Sequence, residues 1–340
     1  MSNTSTAKVA GAPTTRIYGC GGAGINAVNR FIQSGQGSIL GTIDGSYAFL
    51  DTSRANLPSD ADESKVYVPN DTKGSGKKRG ENYDAIKASF KDILLKQEPG
   101  EYNIVVFSLS GGSGSVIGPV IMAELLARKL PTVAVVIAST ESGKETLNTI
   151  DTLLSLDGIR KARKLPVVMC YAENEESRTF AEVDQEVTKY ITALTMLFNN
   201  VNTEMDFKDL RHLVQFNDVV DVEASLCTLD FFSQDQLEEN RDTLGSPVAV
   251  ASLYRTRDDR KPLRLGHDYN AVGVLSTEFY DKDNVKLDQV HYLINTDTIE
   301  PLFKRLKSVQ AENKSKADAR TTRSAIASDA DGADDLGMVI

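Results

Sequence analysis

The chain predicts an α/β fold built on a parallel sheet, and three observations carry that prediction. Apolar, β-branched runs such as Ile104 to Phe107 and Thr132 to Ala138 alternate with segments of helical periodicity, the pattern of βαβ units. Two of the strand-like runs pass directly into glycine-rich turns, at Gly19 to Gly24 and at Ser108 to Ser115, each followed by a helix-like segment. The stretch Thr179 to Phe198 places Phe180, Val183, Val187, Ile191, Leu194 and Leu197 on one face, which predicts a long central helix packed on a core.

Composition narrows the function classes. At 340 residues the chain is long enough for two domains with a sizeable core. A net charge of −10 argues against nucleic acid as the main partner. There is no run of apolar residues long enough to span a membrane, and the polar N-terminus has no apolar signal segment, so neither membrane nor export is expected. Cys20, Cys170 and Cys227 are few and widely spaced, as are His212, His267 and His291. They predict reduced thiols and no zinc site, consistent with a cytoplasmic location.

Taken in order, residues 1–14 read as a disordered Ser/Thr/Ala arm. A strand over Thr15 to Tyr18 then enters the first glycine loop, and Ile25, Val28, Phe31 and Ile32 give the following helix its apolar face. A dinucleotide-binding dehydrogenase looks similar here, and Asp44, about twenty residues on, suits the ribose-binding acid of that class. That rival stays open at this point. The strand Tyr47 to Leu50 ends in Asp51, Thr52 and Ser53; Asp51 and Thr52 could orient a hydrated magnesium ion or a terminal phosphate, or Asp51 could cap a turn. Lys73 to Gly80 is a basic, glycine-rich segment, predicted as a mobile loop able to close over phosphates before a helix at Tyr83 to Leu95. It is not a Walker A motif, and neither is Glu141 to Glu145, because Ala138 and Glu145 occupy positions where glycine and Ser/Thr are needed.

The second glycine loop, Ser108 to Ser115, follows a buried strand and precedes a helix from Val116 to Lys129. Glycine admits close backbone approach, serine adds hydroxyl donors, and first-turn N–H groups are unpaired, so the segment suits an anion. The strand Thr132 to Ala138 leads through Ser139 to Ser142 into a helix reaching Leu154; Glu141 suits a ribose hydroxyl or, equally, a first helical turn. Another strand, Pro166 to Tyr171, runs to Asn174 ahead of the central helix. Beyond that helix, Asp206 reads as an N-cap and Asp209 as a first-turn acid. Strand-like pieces at Pro247 to Tyr254, Asn270 to Ser276 and Val290 to Asn295, with a helix-like Ser233 to Arg241, predict a second, smaller α/β domain. A helix at Leu302 to Val309 continues into the basic Lys314, Lys316, Arg320 and Arg323, and the end is acidic with a Met338-Val339-Ile340 finish.

Together, Gly21-Gly22-Ala23-Gly24, the signature-like Ser110-Gly111-Gly112-Ser113-Gly114-Ser115 and the long helix resemble the tubulin/FtsZ family of GTPases. Within it, Thr140-Glu141-Ser142, Ile150-Asp151-Thr152, Val290 to Asn295 and Gly337 to Ile340 are similar to the PhuZ-like tubulins of jumbo bacteriophages. The resemblance implies a Rossmann-like GTP-binding domain over residues 15–178, a central helix over 179–200 and a catalytic synergy loop over 201–212. A C-terminal domain over 213–296, a helix over 297–312 and a polymer-contacting tail over 313–340 complete it.

It also implies roles. Gly21 to Gly24 and Ser110 to Ser115 hold the phosphates, Lys73 to Gly76 sense the γ-phosphate, Asn26, Asn174 and Asp184 face the guanine, and Phe180 stacks on it or packs in the core. Asp206 and Asp209 reach the pocket of the next subunit and orient the attacking water, with Glu204 where the family usually has Asn. Mg2+ is held mainly by phosphates and water, with Asp51 nearby. The implied protein is a GTP-hydrolysing homopolymer, assembled head to tail in the cytoplasm of an infected bacterium. It positions the phage nucleus and replicating DNA, with that nucleus or capsids as further partners and no direct contact with nucleic acid or membrane. An FtsZ/TubZ-type division or plasmid-partition GTPase has the same chemistry and a different task.

Overall fold

The structure, a computed structural model, describes residues 14–34, 46–70, 72–198, 204–275 and 289–330, the last ten as backbone only. The expected N-terminal arm (apart from Thr14), Asp44, the first residues of the synergy loop and the final ten residues therefore lie outside the described residues.

Six parallel strands form the first part of the sheet, in the order β3-β2-β1-β4-β5-β6. They are β1 (Thr15–Cys20), β2 (Ser46–Leu50), β3 (Val66–Tyr67), β4 (Tyr102–Ser108), β5 (Thr132–Ser139) and β6 (Val167–Asn174). The period-2 pleat explains why these strands are apolar throughout: in β4, Ile104 and Val106 enter one core and Val105 and Phe107 the other. On the first face lie α1 (Gly21–Gln33) and α5 (Phe180–Leu197). On the second lie α2 (Tyr83–Lys96), α3 (Gly114–Ala127) and α4 (Gly143–Arg163). The helix expected to reach Leu154 extends to Arg163, because Asp157 pairs with both Arg160 and Lys161 on its outer face and the chain turns only at Lys164, in the left-handed conformation.

The central helix α5 buries Val183, Val187, Ile191, Leu194 and Leu197 against the first core. Phe180 leaves that face: it is 62% exposed, which removes the core-packing explanation for it. Beyond α6 (Phe207–Val214), the chain adds β7 (Leu226–Phe232), α7 (Gln234–Glu239), β8 (Ala249–Tyr254), β9 (Tyr269–Val274) and β10 (Val290–Asn295). β7 joins β6 in parallel, and β10, β8 and β9 follow, so one sheet runs through both parts of the described chain. The final helix α8 (Ile299–Ala330) passes without a break through the basic segment, where no glycine or proline interrupts good helix formers. Arg305 on its inner side meets Glu173 of β6 and ties α8 to the first part of the sheet.

Candidate functional site

Strands β1 and β4 are neighbours, yet the sheet grows away from them in opposite directions, to β2 and β3 on one side and to β5 and β6 on the other. The carboxyl ends of such a pair frame a crevice, because their connections diverge. Both strands run straight into glycine loops and helices, α1 after Cys20 and α3 after Ser113. The two loops lie backbone against backbone. A Cβ on Gly21, which has φ +68, would sit 2.5 Å from the Gly114 nitrogen; one on Gly114 would sit 2.6 Å from the Cys20 carbonyl oxygen. Neither α1 nor α3 has a side-chain cap or a first-turn acid, so their N–H groups and partial positive charge face the crevice. Helices α4, α5, α6 and α7 are all capped by their own side chains.

A cavity of about 430 Å³ opens there. Of the residues predicted from sequence, Gly21, Gly22, Ala23, Asp51, Gly74, Ser75, Gly76, Ser110, Gly111, Gly112, Ser113 and Gly114 line it together. Ser108 of the second glycine loop lines it as well, and so do Cys20, Ser53, Asn56, Lys77 and Glu145, which sequence reasoning did not name as ligand contacts. The signal for Lys77 was present in the basic loop; Glu145 had been seen only as a failed P-loop position.

The loop over 73–80, expected to be mobile, is pinned by five sets of contacts. The hydroxyls of Thr52, Ser75 and Ser113 form a triangle, with Ser113 2.6 Å from Thr52 and 2.7 Å from Ser75. Asn82 Nδ2 donates to the Gly74 carbonyl at 2.8 Å. Asn148 Nδ2 donates to the Lys77 carbonyl at 3.0 Å and to the Ser110 carbonyl at 2.9 Å, bridging the basic and signature loops. Pro119 has no N–H to give the Ser115 carbonyl one turn back, and Arg79 supplies a donor instead at 3.2 Å. Lys77 Nζ meets Glu145 Oε1 at 2.6 Å, and that pairing raises the ammonium above its ordinary range. Burial pushes the Glu145 carboxyl up, but hydrogen bonds from Lys77 and Ser142 outweigh it and hold the group below the usual carboxylate range.

The remaining predicted residues do not line the cavity. Gly24 and Ser115 are buried behind it: a Cβ on Gly24 would meet the Val106 carbonyl oxygen at 2.1 Å, and Ser115 Oγ donates to the Gly111 carbonyl at 2.7 Å. Thr52 belongs to the hydroxyl triangle and is fully buried, whereas Lys73 is exposed. Asn26, Phe180 and Asp184 belong to a second patch where α1 meets α5, with Arg30 Nη1 2.8 Å from Asp184 Oδ2. Arg30 was not singled out, although it follows Asn26 by one helical turn. Asn174 ends β6 opposite Ser139, and Glu141 follows that same edge, exposed.

No group of three metal-binding side chains exists among the described residues. Two carboxylates line the cavity: Glu145 is paired with Lys77, and the Asp51 oxygens accept from the Thr52 amide at 2.7 Å and Asn56 Nδ2 at 3.0 Å. Such a set suits a hydrated magnesium ion carried by phosphates, not a protein cage.

Asp206 and Asp209 lie elsewhere. They form a reciprocal cap on α6: Asp206 Oδ1 accepts from the Lys208 and Asp209 amides at 2.7 and 3.0 Å, and Asp209 Oδ2 accepts from the Asp206 amide at 3.0 Å. One oxygen on each carboxylate takes no part in the cap, and the Tyr269 hydroxyl, which donates to the Asp209 carbonyl at 3.1 Å, lies beside the Asp209 carboxylate. Glu204 is held by Arg257, at 2.7 Å, and by Arg260, which together keep its carboxyl below the usual range. The Phe207 ring packs 5.5 Å from Tyr102, the first residue of β4, whereas the signature loop follows the last residue of that strand. Seven residues of extended chain put the acids ~20 Å from the cavity, at the opposite edge of the sheet.

With this geometry in hand, comparisons with known proteins are specific. A model of the tubulin/FtsZ family GTPase domain matches residues 15–176, and a model of the phage tubulin-like C-terminal domain matches residues 205–299. A phage tubulin-like protein of Pseudomonas phage PhiPA3 is 32% identical over 330 residues, covering 96% of this chain and 98% of that protein. The protofilament structure of TubZ from bacteriophage PhiKZ superposes with a TM-score of 0.79 at 26% identity, over 96% of each chain. The GDP-bound phage tubulin PhuZ shares the fold, with a TM-score of 0.79 at 22% identity over 90% of this chain and 93% of that one. The chain therefore belongs to the phage tubulin-like proteins, filament-forming GTPases with the tubulin/FtsZ fold.

Proposed function

We propose that this chain hydrolyses GTP at the contact between successive subunits of a polar filament, and that the filament is a spindle positioning the phage nucleus and its replicating DNA in the cytoplasm of an infected bacterium. The observation that carries the reading is the separation just described: the glycine-lined cavity and the carboxylates of Asp206 and Asp209 lie at opposite edges of one sheet. A single subunit does not bring them together. Head-to-tail stacking does, and a heterologous contact of that kind repeats into an open filament.

In this reading the amides of α1 and α3 and the hydroxyls of Ser75 and Ser113 hold the phosphates, and Asn26, Phe180, Asp184 and Asn174 surround the guanine. Glu141 meets the ribose. When bound, Mg2+ spreads the charge that develops on the phosphates, with Asp51 beside it. Asp206 and Asp209 of the adjoining copy orient water for in-line attack. The C-terminal residues, outside those described, make a further contact with the neighbouring copy, and deleting residues 329–340 abolishes assembly while nucleotide binding survives.

The test is GTP turnover per subunit as protein concentration rises, with Asp206→Asn and Asp209→Asn alongside. Asn still accepts the capping hydrogen bonds, so folding is spared while the anionic oxygens are lost. Turnover should climb steeply with assembly in the unaltered chain, and both variants should form filaments that fail to disassemble. Turnover that is independent of concentration and unchanged in both variants would refute the shared site.

A further inference from the structure

Glu204 stands two residues before Asp206, and its two oxygens are taken by different guanidiniums: Oε1 by Arg257 Nε at 2.7 Å, Oε2 by Arg260 Nη2. Both arginines come from one turn of the connection between β8 and β9. The Asp259 carboxylate closes that turn, accepting from the Thr256 amide at 3.0 Å and the Thr256 hydroxyl at 2.8 Å. The connection is anchored on either side. Tyr254 donates its hydroxyl to the Lys261 carbonyl at 3.0 Å, and Tyr269 meets the Asp209 carbonyl. Two residues of chain span at most about 7 Å, so the guanidiniums are tethered beside the acid pair of α6.

The two arginines are held differently. Arg260 binds Glu204 through a terminal nitrogen, and its side chain is 33% exposed. Arg257 binds through Nε and is 77% exposed, and among the described residues its two terminal nitrogens make no hydrogen bond. One carboxylate balances one guanidinium, so the second charge is surplus. A planar pair of terminal nitrogens matches two phosphate oxygens, and a carboxylate on Nε sets the direction in which that pair points. The charge of the approaching edge also calls for a cation. Glu204, Asp206 and Asp209 would otherwise bring three carboxylates against a polyphosphate.

We infer that Arg257 is a catalytic residue delivered in trans: its outward nitrogens bond the phosphate oxygens of the nucleotide held by the adjoining copy, and Glu204 is the positioning residue that aims it. This assignment rests on the shared-site reading above and supplies that site with a cation. In the step it serves, the water oxygen bonds to the γ-phosphorus while the bond from that phosphorus to the β–γ bridging oxygen breaks, leaving its electron pair on GDP. The proton lost by water passes through the Asp206–Asp209 pair to solvent. Charge gathering on the phosphate oxygens is met by the Arg257 guanidinium.

The test is GTP turnover per assembled subunit in filaments of the full-length chain. Arg257→Gln should lower it about a hundredfold, the scale of a lost transition-state donor, and Arg257→Lys should restore only part, because a point charge lacks the fork. Glu204→Gln should lower it about tenfold when Arg257 is present and add nothing once Arg257 is Gln, as residues acting as one unit do. Lys208→Met removes the exposed lysine between the two acids and should change turnover less than about threefold. If Arg257→Gln assembles poorly alone, mixing it in equal number with the unaltered chain should bring turnover to about half. Arg257→Gln filaments that turn over fully while Asp206→Asn filaments do not, or a larger loss in Lys208→Met, would overturn this inference alone. Turnover independent of protein concentration in the unaltered chain would overturn the shared-site reading and this inference with it.

Discussion

The two edges of the sheet are built by opposite means. At the carboxyl edge, α1 and α3 begin on glycines with no side-chain caps, and their loops touch through backbone atoms. At the opposite edge, α6 begins on two aspartates that cap it reciprocally, each using one carboxylate oxygen for the cap. The first edge satisfies its packing with backbone and leaves N–H donors for a ligand; the second satisfies its donors with side chains and leaves anionic acceptors. An edge made of backbone tolerates no added atom, whereas an edge made of side chains tolerates an isostere.

The largest expected effect sharpens that contrast within one loop system. Gly24→Ala drives a methyl group into the Val106 carbonyl and should cost ~3 kcal/mol or more in urea unfolding. Gly111→Ala meets nothing closer than 3.6 Å and should change stability by less than about 0.5 kcal/mol, while weakening nucleotide binding because its methyl enters the cavity. Equal costs at the two glycines would break the comparison.

Next in size, the Glu173–Arg305 pair tests a side-chain tie at the carboxyl edge. Glu173 is 3% exposed, and burial raises its carboxyl, but Arg305 and Tyr171 lower it further, to a net value below the usual range. Arg305→Met should cost about 3 kcal/mol by stranding that carboxylate, and Glu173→Gln in the same chain should recover most of the loss. Urea midpoints of the single and double variants read this directly.

A pH effect of ~2 kcal/mol is expected from His291. Its Nδ1 lies 2.9 Å from Ser252 Oγ and its Nε2 3.0 Å from Gln234 Oε1, and burial lowers its pKa from 6.5 to about 4. The unfolded chain takes up the proton first as pH falls. This contribution is therefore complete above pH 6.5 and is lost as pH drops towards about 4. His291→Gln should flatten the stability profile over that window.

The smallest effect lies at the acid edge. Asp206→Ala should cost about 1 kcal/mol through the lost cap, and Asp206→Asn much less, while both depress GTP turnover. Turnover that followed stability, falling in Ala and not in Asn, would make Asp206 a cap alone.

The legible part of this molecule was the part encoded by local repetition. Alternating strands and helices showed in apolar runs and 3.6-residue spacing, and the two glycine loops showed because few other residues permit such turns. The resemblance added the acids after α5. Lys77 and Glu145 were harder to read, because 68 positions of sequence separate them and only the packing of α4 against the signature loop brings them within 2.6 Å. Phe180 falls on the apolar stripe of α5 by spacing, yet as the first residue of the helix it is exposed. The helical course of α8 through a basic segment, and the joining of β7 to β6 in one continuous sheet, are decisions of register and contact.

By itself, then, the sequence determined an α/β chain with two anion-binding turns and a pair of acids beyond a long helix, because each of these is a matter of nearest neighbours along the backbone. Tertiary structure alone decided that the turns share one crevice and that the acids face the other way. Strand order is set by which apolar faces bury together, and no local pattern records it.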